Sequence, residues 1–467
     1  MSSPVRALVV SYNFPPVGGA GVQRVLKLVK YLPAHGVTPE VLTVSNPSVP
    51  VLDASLEKDF PPGLVVHRAR TLEPSYAAKR AAWEAQAAAA TSDGPSGTDA
   101  AGAGAGAAKH ASPTLKQRVT RRLSAGAKQL LFPDPQVLWQ PAAQVALARL
   151  SAPDAVLISG PPFSQFLLAP TVRARFPRAA LVLDYRDEWS TYRTSYEMMG
   201  SRVGALVGDP LEASLLKLAH AITIATEEFR AALLERFPFV DPARVHAIPN
   251  GYDPDDFPSN LPEPPRDRLV VTYAGTIFKL TSARGFLSGL RVLHERSPEL
   301  ARKLDVRFIG RIVETEADAF ADAEALRVTR AGYVPHDEVV RTLAASHVNL
   351  CILDDVPGAE RIYPAKIFEL MALGRSILTL SPEGALTRLV RAEGLGDVVP
   401  PRDAAAIAEA LAARVRAFEQ SGGTLPGPSG GARERYSRRA LAGTFADVLR
   451  EASTRARTRG PWTGSAR

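Results

Sequence analysis

The 467-residue chain has a single cysteine, Cys351, inside the apolar run NLCIL. One thiol forms neither an internal disulfide nor a cysteine-based metal site, so a small buried hydrophobe is its expected role. Long hydrophobic runs are also missing. The opening MSSPVRALVVSYNF contains only the short stretch Ala7–Val10, well below a signal-peptide core. No later stretch approaches the ~20 apolar residues of a membrane span, so the chain is expected to be soluble and cytoplasmic. The eight histidines show no ligand spacing, and Asp253 and Asp255 lie in a Pro-rich turn, so no metal ligand is expected. Acidic residues fall short of basic ones, 48 against 56, which leaves a net charge of +8. That surplus favours phosphates or an anionic surface, but no nucleic-acid motif accompanies it.

The length suggests two α/β domains with some chain left over. Near the start, ALVVSYNF, the loop PPVGGAG, VQRVLKLVKYLPAHG and EVLTVS read as a β-α-β opening of a parallel sheet. Apolar runs at Ala155–Ser159 and Ala180–Asp184 add strands. Residues 77–112, alanine, glycine and small polar residues, have almost nothing to bury and are expected to form a partly helical, mostly disordered insertion. After it, TLKQRVTRRLSAGAKQLLF places Leu115, Val119, Leu123, Leu130 and Leu131 among Lys116, Arg118, Arg121, Arg122 and Lys128. An ordinary surface helix is the commoner explanation of such a pattern, and peripheral contact with the inner membrane face is the other.

Residues 250–268, rich in Pro and Asp, read as an interdomain linker, so the first domain is expected over 1–249. LVVTYAG, a helix from about Arg284, DVRFIG, Leu326–Thr329, NLCIL and SILTL then predict a second parallel sheet in a domain over 269–420. A flexible spacer (421–431), a helix packing back on a lobe (432–452) with Tyr436, Leu441, Phe445 and Leu449 at helical spacing, and a disordered tail (453–467) complete the expected organisation.

Ligands of a doubly wound sheet sit just beyond the strand carboxyl ends, and four such places stand out. FPPVGGAGVQR offers Gly18, Gly19 and Gly21 at a helix start, suited to a dinucleotide, a phosphate or merely a tight turn. LVLDYRDEW carries Asp184, Arg186 and Asp187, of which Asp187 suits acid-base work and Asp184 suits bracing of the loop. In YAGTIFKLTSARGF, Lys279 or Arg284 can reach back over a helix start toward an anion, against the alternative of incidental surface charge. ERIYPAKIFELMALGRSIL is the most specific. Pro364 fits a first helical position with free amides at Ala365 and Lys366, and Lys366 and Glu369 share one face over a buried side of Ile367, Phe368, Leu370 and Met371. A cation there can hold a diphosphate, and a carboxylate one turn later can accept two ribose hydroxyls; a plain Lys-Glu pair is the alternative.

These places, in this order, resemble the GT-B glycosyltransferases, specifically glycosyltransferase family 4 and the group-1 enzymes of bacterial polysaccharide synthesis. YPAKIFELMALGRSIL carries the resemblance most specifically, with FPPVGG, SGPPFS, PDPQVLW, LDYRDEW, IPNGYDPDDF and AGYVPHDEV in support. The resemblance implies two doubly wound Rossmann-like lobes with the active site in the cleft between them. It implies a retaining, metal-independent transfer of a sugar from a nucleotide-diphosphate sugar to a glycan or lipid-linked acceptor, with no cofactor. Asp187 is then the catalytic residue, and Gly18 and Gly19 lie near the reacting phosphate and sugar. The donor-binding set is Gly18, Gly19, Gly275, Thr276, Lys279, Arg284, Tyr333, Val334, Glu360, Lys366, Ile367 and Glu369, with no metal ligand. In this set Lys366 with Lys279 or Arg284 holds the diphosphate, Glu369 the ribose and Gly332–Val334 the base. Two departures stand out. Arg361, with Glu360 beside it, occupies the place of the family's first glutamate. Gly275-Thr276 and Arg284-Gly285, at a longer gap, stand where relatives carry Gly-Arg and Lys-Gly. A nucleotide-sugar epimerase of the same fold and a non-catalytic glycan-assembly protein are the alternative functions.

Overall fold

The computed structural model describes residues 4–91, 131–189, 202–428 and 432–458. Thirteen strands form two sheets. The first, in spatial order β3-β2-β1-β4-β5-β6-β7, comprises β1 (Val5–Val10), β2 (Val37–Val44), β3 (Val65–Ala69), β4 (Ala155–Gly160), β5 (Ala180–Tyr185), β6 (Ala221–Ile224) and β7 (Val245–Ala247). The second, in order β10-β9-β8-β11-β12-β13, comprises β8 (Leu269–Ala274), β9 (Leu304–Ile309), β10 (Val328–Ala331), β11 (Val348–Ile352), β12 (Ser376–Leu380) and β13 (Gly396–Val399). Every pairing from β1 to β5 and throughout the second sheet is parallel. β4 and β5 are buried along their whole length, as parallel strands covered on both faces must be. In each sheet the order reverses beside its first strand, β1/β4 and β8/β11, which are the switch points of a doubly wound fold.

The chain divides into two compact units, Met1–Ile222 with Val448–Arg467, and Thr223–Asp447. The division falls between Ile222 and Thr223, ahead of the 249/269 boundary read from composition, although the first sheet itself runs on to β7 at Ala247, and several contacts hold the residues after it within the second unit. The helix Glu227–Arg236 is anchored there by the Thr226 hydroxyl donating to the Arg361 carbonyl at 2.7 Å and by the Arg388–Glu228 ion pair. The proposed linker is also built in at its start. Tyr252 exchanges backbone hydrogen bonds with the 436–438 segment, its N–H to Tyr436 O at 3.2 Å and Arg438 N–H to its own carbonyl at 2.7 Å. A Cβ at Gly251 would lie 2.2 Å from Tyr436 O, so only glycine lets these segments meet. Asp253 caps a short turn by accepting from Asp255 N–H at 3.1 Å.

Residues Tyr76–Thr91, the first part of the expected insertion, are helical because an alanine run favours helix without needing a core. The remainder of 77–112 and the basic stretch 114–130 lie outside the described residues. The last helix runs Arg438–Thr458, six residues beyond the expected end, because Ala452 and Ala456 continue the buried stripe of Leu441, Phe445 and Leu449. Its first part counts with the second unit and its last with the first. Within the spacer, residues 429–431 lie outside the description, as does 459–467 of the tail. Among the described residues no helix is long and apolar enough to cross a membrane. Cys351 is fully buried, and burial pushes its thiol up to about 11.

Candidate functional site

In the second unit the β8/β11 switch point is organised by Lys366. Its helix, Lys366–Leu373, turns an apolar side of Ile367, Phe368, Leu370 and Met371 into the core and ends at Gly374 in the left-handed region. The ammonium reaches the end of β8, donating to the Ala274 carbonyl at 3.1 Å and lying 3.8 Å from the centroid of the Tyr273 ring. The next residue is Gly275, with φ +141°, where a Cβ would stand 2.8 Å from Lys366 Nζ. The backbone conformation therefore calls for glycine, and an added Cβ would also displace the cation. Gly310, at the end of β9 with φ +121°, is equally constrained, because a Cβ there would lie 2.4 Å from Gly275 O. Its N–H donates to the Ala331 and Gly332 carbonyls at 2.9 and 3.1 Å, bringing the end of β10 alongside. Three adjacent strands thus end in closely approaching backbone around one cation.

Glu369 lies one turn along the helix, half-buried. Burial raises its pKa above the ordinary glutamate value, opposed by His336, Arg438 and Lys366 and assisted by Asp256. A carboxyl with a raised folded-state pKa contributes its stability below its unfolded value, ~4.3, and loses it as pH rises through the folded one. Glu369→Gln removes that titration. The variant is expected to unfold at a higher temperature than the parent at pH 7.5, with the difference shrinking toward pH 4, while stabilisation by a bound nucleotide-sugar is reduced. Thermal melts at the two pH values, with and without donor, check both halves.

Other expected donor residues fall differently. Pro364 precedes the helix instead of opening it; Ala365 is the capping residue, and the Ile367 N–H is already used by the Pro364 carbonyl at 3.0 Å. The Ile367 side chain is 0% exposed in the core, so it presents nothing to a ligand. Arg284 is held by Asp318 at 2.5 Å, the Thr315 carbonyl at 2.8 Å and Glu316 at 3.5 Å, which ties its helix to the 314–318 segment. A diphosphate role would require it to exchange those carboxylates. Lys279 and Thr276 are exposed on the loop after β8, and the Thr276 carbonyl accepts from the Tyr273 and Thr281 hydroxyls. Tyr333 is 91% exposed at the end of β10, with Val334 partly covered beside it. Glu360 accepts from Arg361 at 2.5 Å, so the two residues at the departure from the family pattern neutralise each other. Gly285 serves packing, since a Cβ there would lie 1.8 Å from the Pro401 carbonyl oxygen.

The first unit has its own arrangement at the β1/β4 switch point. Asp184 is fully buried, paired with Arg24 at 2.9 Å and accepting from the Ser159 hydroxyl at 2.7 Å. Arg186 donates to the carbonyls of Gly21, Gly160 and Pro161, fastening the glycine loop to the end of β4. Both residues brace. Asp187, next in the chain, is open to solvent at its own atoms. Desolvation by the protein around it, helped by Asp184, raises its pKa against the pull of Arg186 and Arg24, although its own atoms are exposed. Gly18 donates to the Val51 carbonyl at 3.0 Å, and Gly19, φ +89°, precedes the helix Ala20–Tyr31 without a side-chain cap, which leaves amides open at that helix start.

Sequence reading missed Tyr273, hidden in a strand run, and Gly310, whose signal was a glycine closing DVRFIG. His336, Asp256 and Arg438 reach Glu369 from distant chain positions and carry no local signal.

Residues 18–251 match the family described as Glycosyl transferase 4-like domain, and residues 276–416 that described as Glycosyl transferases group 1. No curated protein matches the chain in sequence. Among solved structures, sucrose-phosphate synthase from Thermosynechococcus elongatus is 16% identical with a TM-score of 0.55, over 97% of this chain and 100% of that one. The N-terminal domain of Candida albicans trehalose-6-phosphate phosphatase is 12% identical with a TM-score of 0.59, over 97% of each. An Anabaena protein in complex with UDP and glucose is 12% identical with a TM-score of 0.52, over 97% and 99%. At these identities the likeness is one of fold, two Rossmann-like lobes of the GT-B kind. Together with the two family matches, it places this chain in the glycosyltransferase 4-like, group 1 family of glycosyltransferases.

Proposed function

We propose that the protein is a retaining, metal-independent glycosyltransferase that moves a sugar from a nucleotide-diphosphate sugar to a glycan or lipid-linked acceptor in bacterial polysaccharide or glycoconjugate synthesis. The observation that carries this reading is Lys366 standing against Gly275 at the end of β8, with Glu369 one turn away. A fixed ammonium beside glycine backbone suits a diphosphate, and a half-buried carboxylate suits a ribose diol. The Anabaena relative's complex with UDP and glucose, and an Escherichia coli relative's with UDP-2-fluoro glucose, support a nucleotide-sugar donor.

In the reaction, the bond from the anomeric carbon to the diphosphate breaks and one to the acceptor oxygen forms on the same face. The acceptor proton passes to the departing phosphate oxygen, whose charge Lys366 stabilises. Asp187, on the acceptor-binding unit, orients the acceptor hydroxyl or stabilises positive charge at the sugar. Asp187→Asn is expected to lower kcat ~10²–10³-fold with donor affinity unchanged. Because the pKa of Asp187 is raised, activity of the parent falls on acidification at a pH above the ordinary aspartate value of ~3.9, and the variant lacks that limb; a pH–rate profile decides.

The function is tested by incubating the protein with UDP-, GDP-, ADP- and dTDP-sugars, following thermal stabilisation and release of nucleoside diphosphate, with and without EDTA. One donor stabilising the protein and slowly releasing diphosphate, indifferent to chelator, is the expected result. Binding without release points to the non-catalytic alternative, conversion of the donor to an isomer points to an epimerase, and absence of any shift rejects the nucleotide-sugar reading.

A further inference from the structure

A polar cavity of about 330 Å³ opens at the amino-terminal ends of β8, β9 and β10, within the second unit. Arg268 lies just before β8, Asp305 and Thr329 are the second residues of β9 and β10, and Glu324 and Arg327 come from the turn leading into β10. Gly275, Gly310 and Gly332 follow the opposite ends of the same strands, so the cavity is roughly 20 Å from the Lys366 region at ~3.3 Å per strand residue.

Arg268, Glu324, Arg327 and Thr329 are exposed, so the cavity is an open surface hollow, and its cations have few partners among the described residues. Asp305 is already paired with Arg307 at 2.5 Å. Among the described residues Arg268 pairs with Asp267 at 3.8 Å, with both side chains well exposed. The Arg327 guanidinium has no hydrogen-bond or ion-pair partner among the described residues. The Arg327 backbone is also unusual. With φ +57° it is the one non-glycine residue in the left-handed region among those described, its N–H closing a turn onto the Glu324 carbonyl at 3.0 Å. Glycine takes this conformation freely and arginine does so only at a cost. The Val328 N–H, donating to the Ala323 carbonyl at 2.7 Å, closes the same turn, so the conformation is that of a helix-ending cap, and what the cavity offers a ligand is two exposed guanidiniums beside two carboxylates and a hydroxyl.

We propose that this cavity binds a phosphorylated monosaccharide, its phosphate held between Arg268 and Arg327 and its hydroxyls by Asp305, Glu324 and Thr329. Guanidinium forks match phosphate oxygens, and carboxylates and a threonine hydroxyl suit sugar hydroxyls. The volume is at the low end for ligand pockets, about 300–1,000 Å³, and fits one sugar ring but not a nucleotide-sugar. No aromatic face lines it for a base.

The full chain is titrated with hexose 1- and 6-phosphates, with inorganic phosphate and with glucose, following the unfolding midpoint. A hexose phosphate is expected to raise the midpoint saturably in the parent and equally in Lys366→Ala; inorganic phosphate needs at least tenfold more for the same shift, and glucose gives none. Arg327→Gly removes the guanidinium while relaxing the backbone, so it is expected to unfold no earlier than the parent and to bind at least tenfold more weakly. Absence of a shift with every hexose phosphate, an unchanged affinity in Arg327→Gly, or loss of the response in Lys366→Ala, which would assign it to the donor region, overturns the proposal.

Discussion

Lys366→Ala is expected to lower kcat/KM for the donor by ~10²–10³-fold, the scale of losing one preorganised group that stabilises developing charge, ~2.7–4 kcal/mol. The fold should survive, at a cost of about 2 kcal/mol. What the variant loses in the free protein is one hydrogen bond from a half-buried ammonium to the Ala274 carbonyl and a cation–π contact with Tyr273, about 1 kcal/mol each. Lys366→Arg should rescue poorly, because a planar guanidinium cannot place a compact charge against the Ala274 carbonyl as the ammonium does. Steady-state kinetics beside thermal melts separate the outcomes. Near-parent kcat/KM in a folded Lys366→Ala protein would remove the residue from the site.

The second large effect is one of stability. Gly285→Ala puts a methyl where the Pro401 carbonyl oxygen is 1.8 Å away and the Pro401 carbonyl carbon 2.9 Å away. Both belong to backbone that leads into the helix Ala404–Gln420, capped by Asp403, and cannot rotate aside. One turn on, a Cβ at Gly289 would lie 2.4 Å from Ile407 Cγ2, so the two glycines form a groove along the helix Arg284–Arg296 in which the second helix lies. Alanine improves helix propensity by about 1 kcal/mol, but overpacking against rigid backbone costs about 3 kcal/mol. The net loss of about 2 kcal/mol is therefore expected to lower the unfolding midpoint of Gly285→Ala by about 4–8 °C, given 2–4 °C per kcal/mol for a unit of this size. Its KM for donor below the transition should match the parent. A raised KM with an unchanged midpoint would instead give Gly285 a part in donor binding.

Much of the architecture was legible because buried parallel strands are nearly continuous apolar runs. AVLIS, ALVLD, LVVTYAG and SILTL each became a strand within a residue or two of the expected limits, while the strand read from ALVVSYNF ends four residues early, at Val10. Short or edge strands were not legible. β3, β7 and β13 carry partly exposed side chains and no run long enough to stand out from loop. At the candidate site, the local pattern around Lys366 and Glu369 could be read, since helix spacing puts them on one face. What Arg284 and Glu360 do could not. Each is a charged residue whose partner, Asp318 or Arg361, is chosen only when the chain is folded, and composition does not rank competing ion pairs.

The sequence alone therefore determined the family, the two α/β units and the positions of the glycine loops and the Lys366 helix, because these depend on local pattern. Tertiary structure decided which glycines admit no side chain, which cations are already occupied and which chain segments close each unit. Those outcomes depend on distances between residues far apart in the chain, such as Lys366 and Gly275, Gly285 and Pro401, or Gly251 and Tyr436. Packing creates those distances; nothing local in the chain carries them.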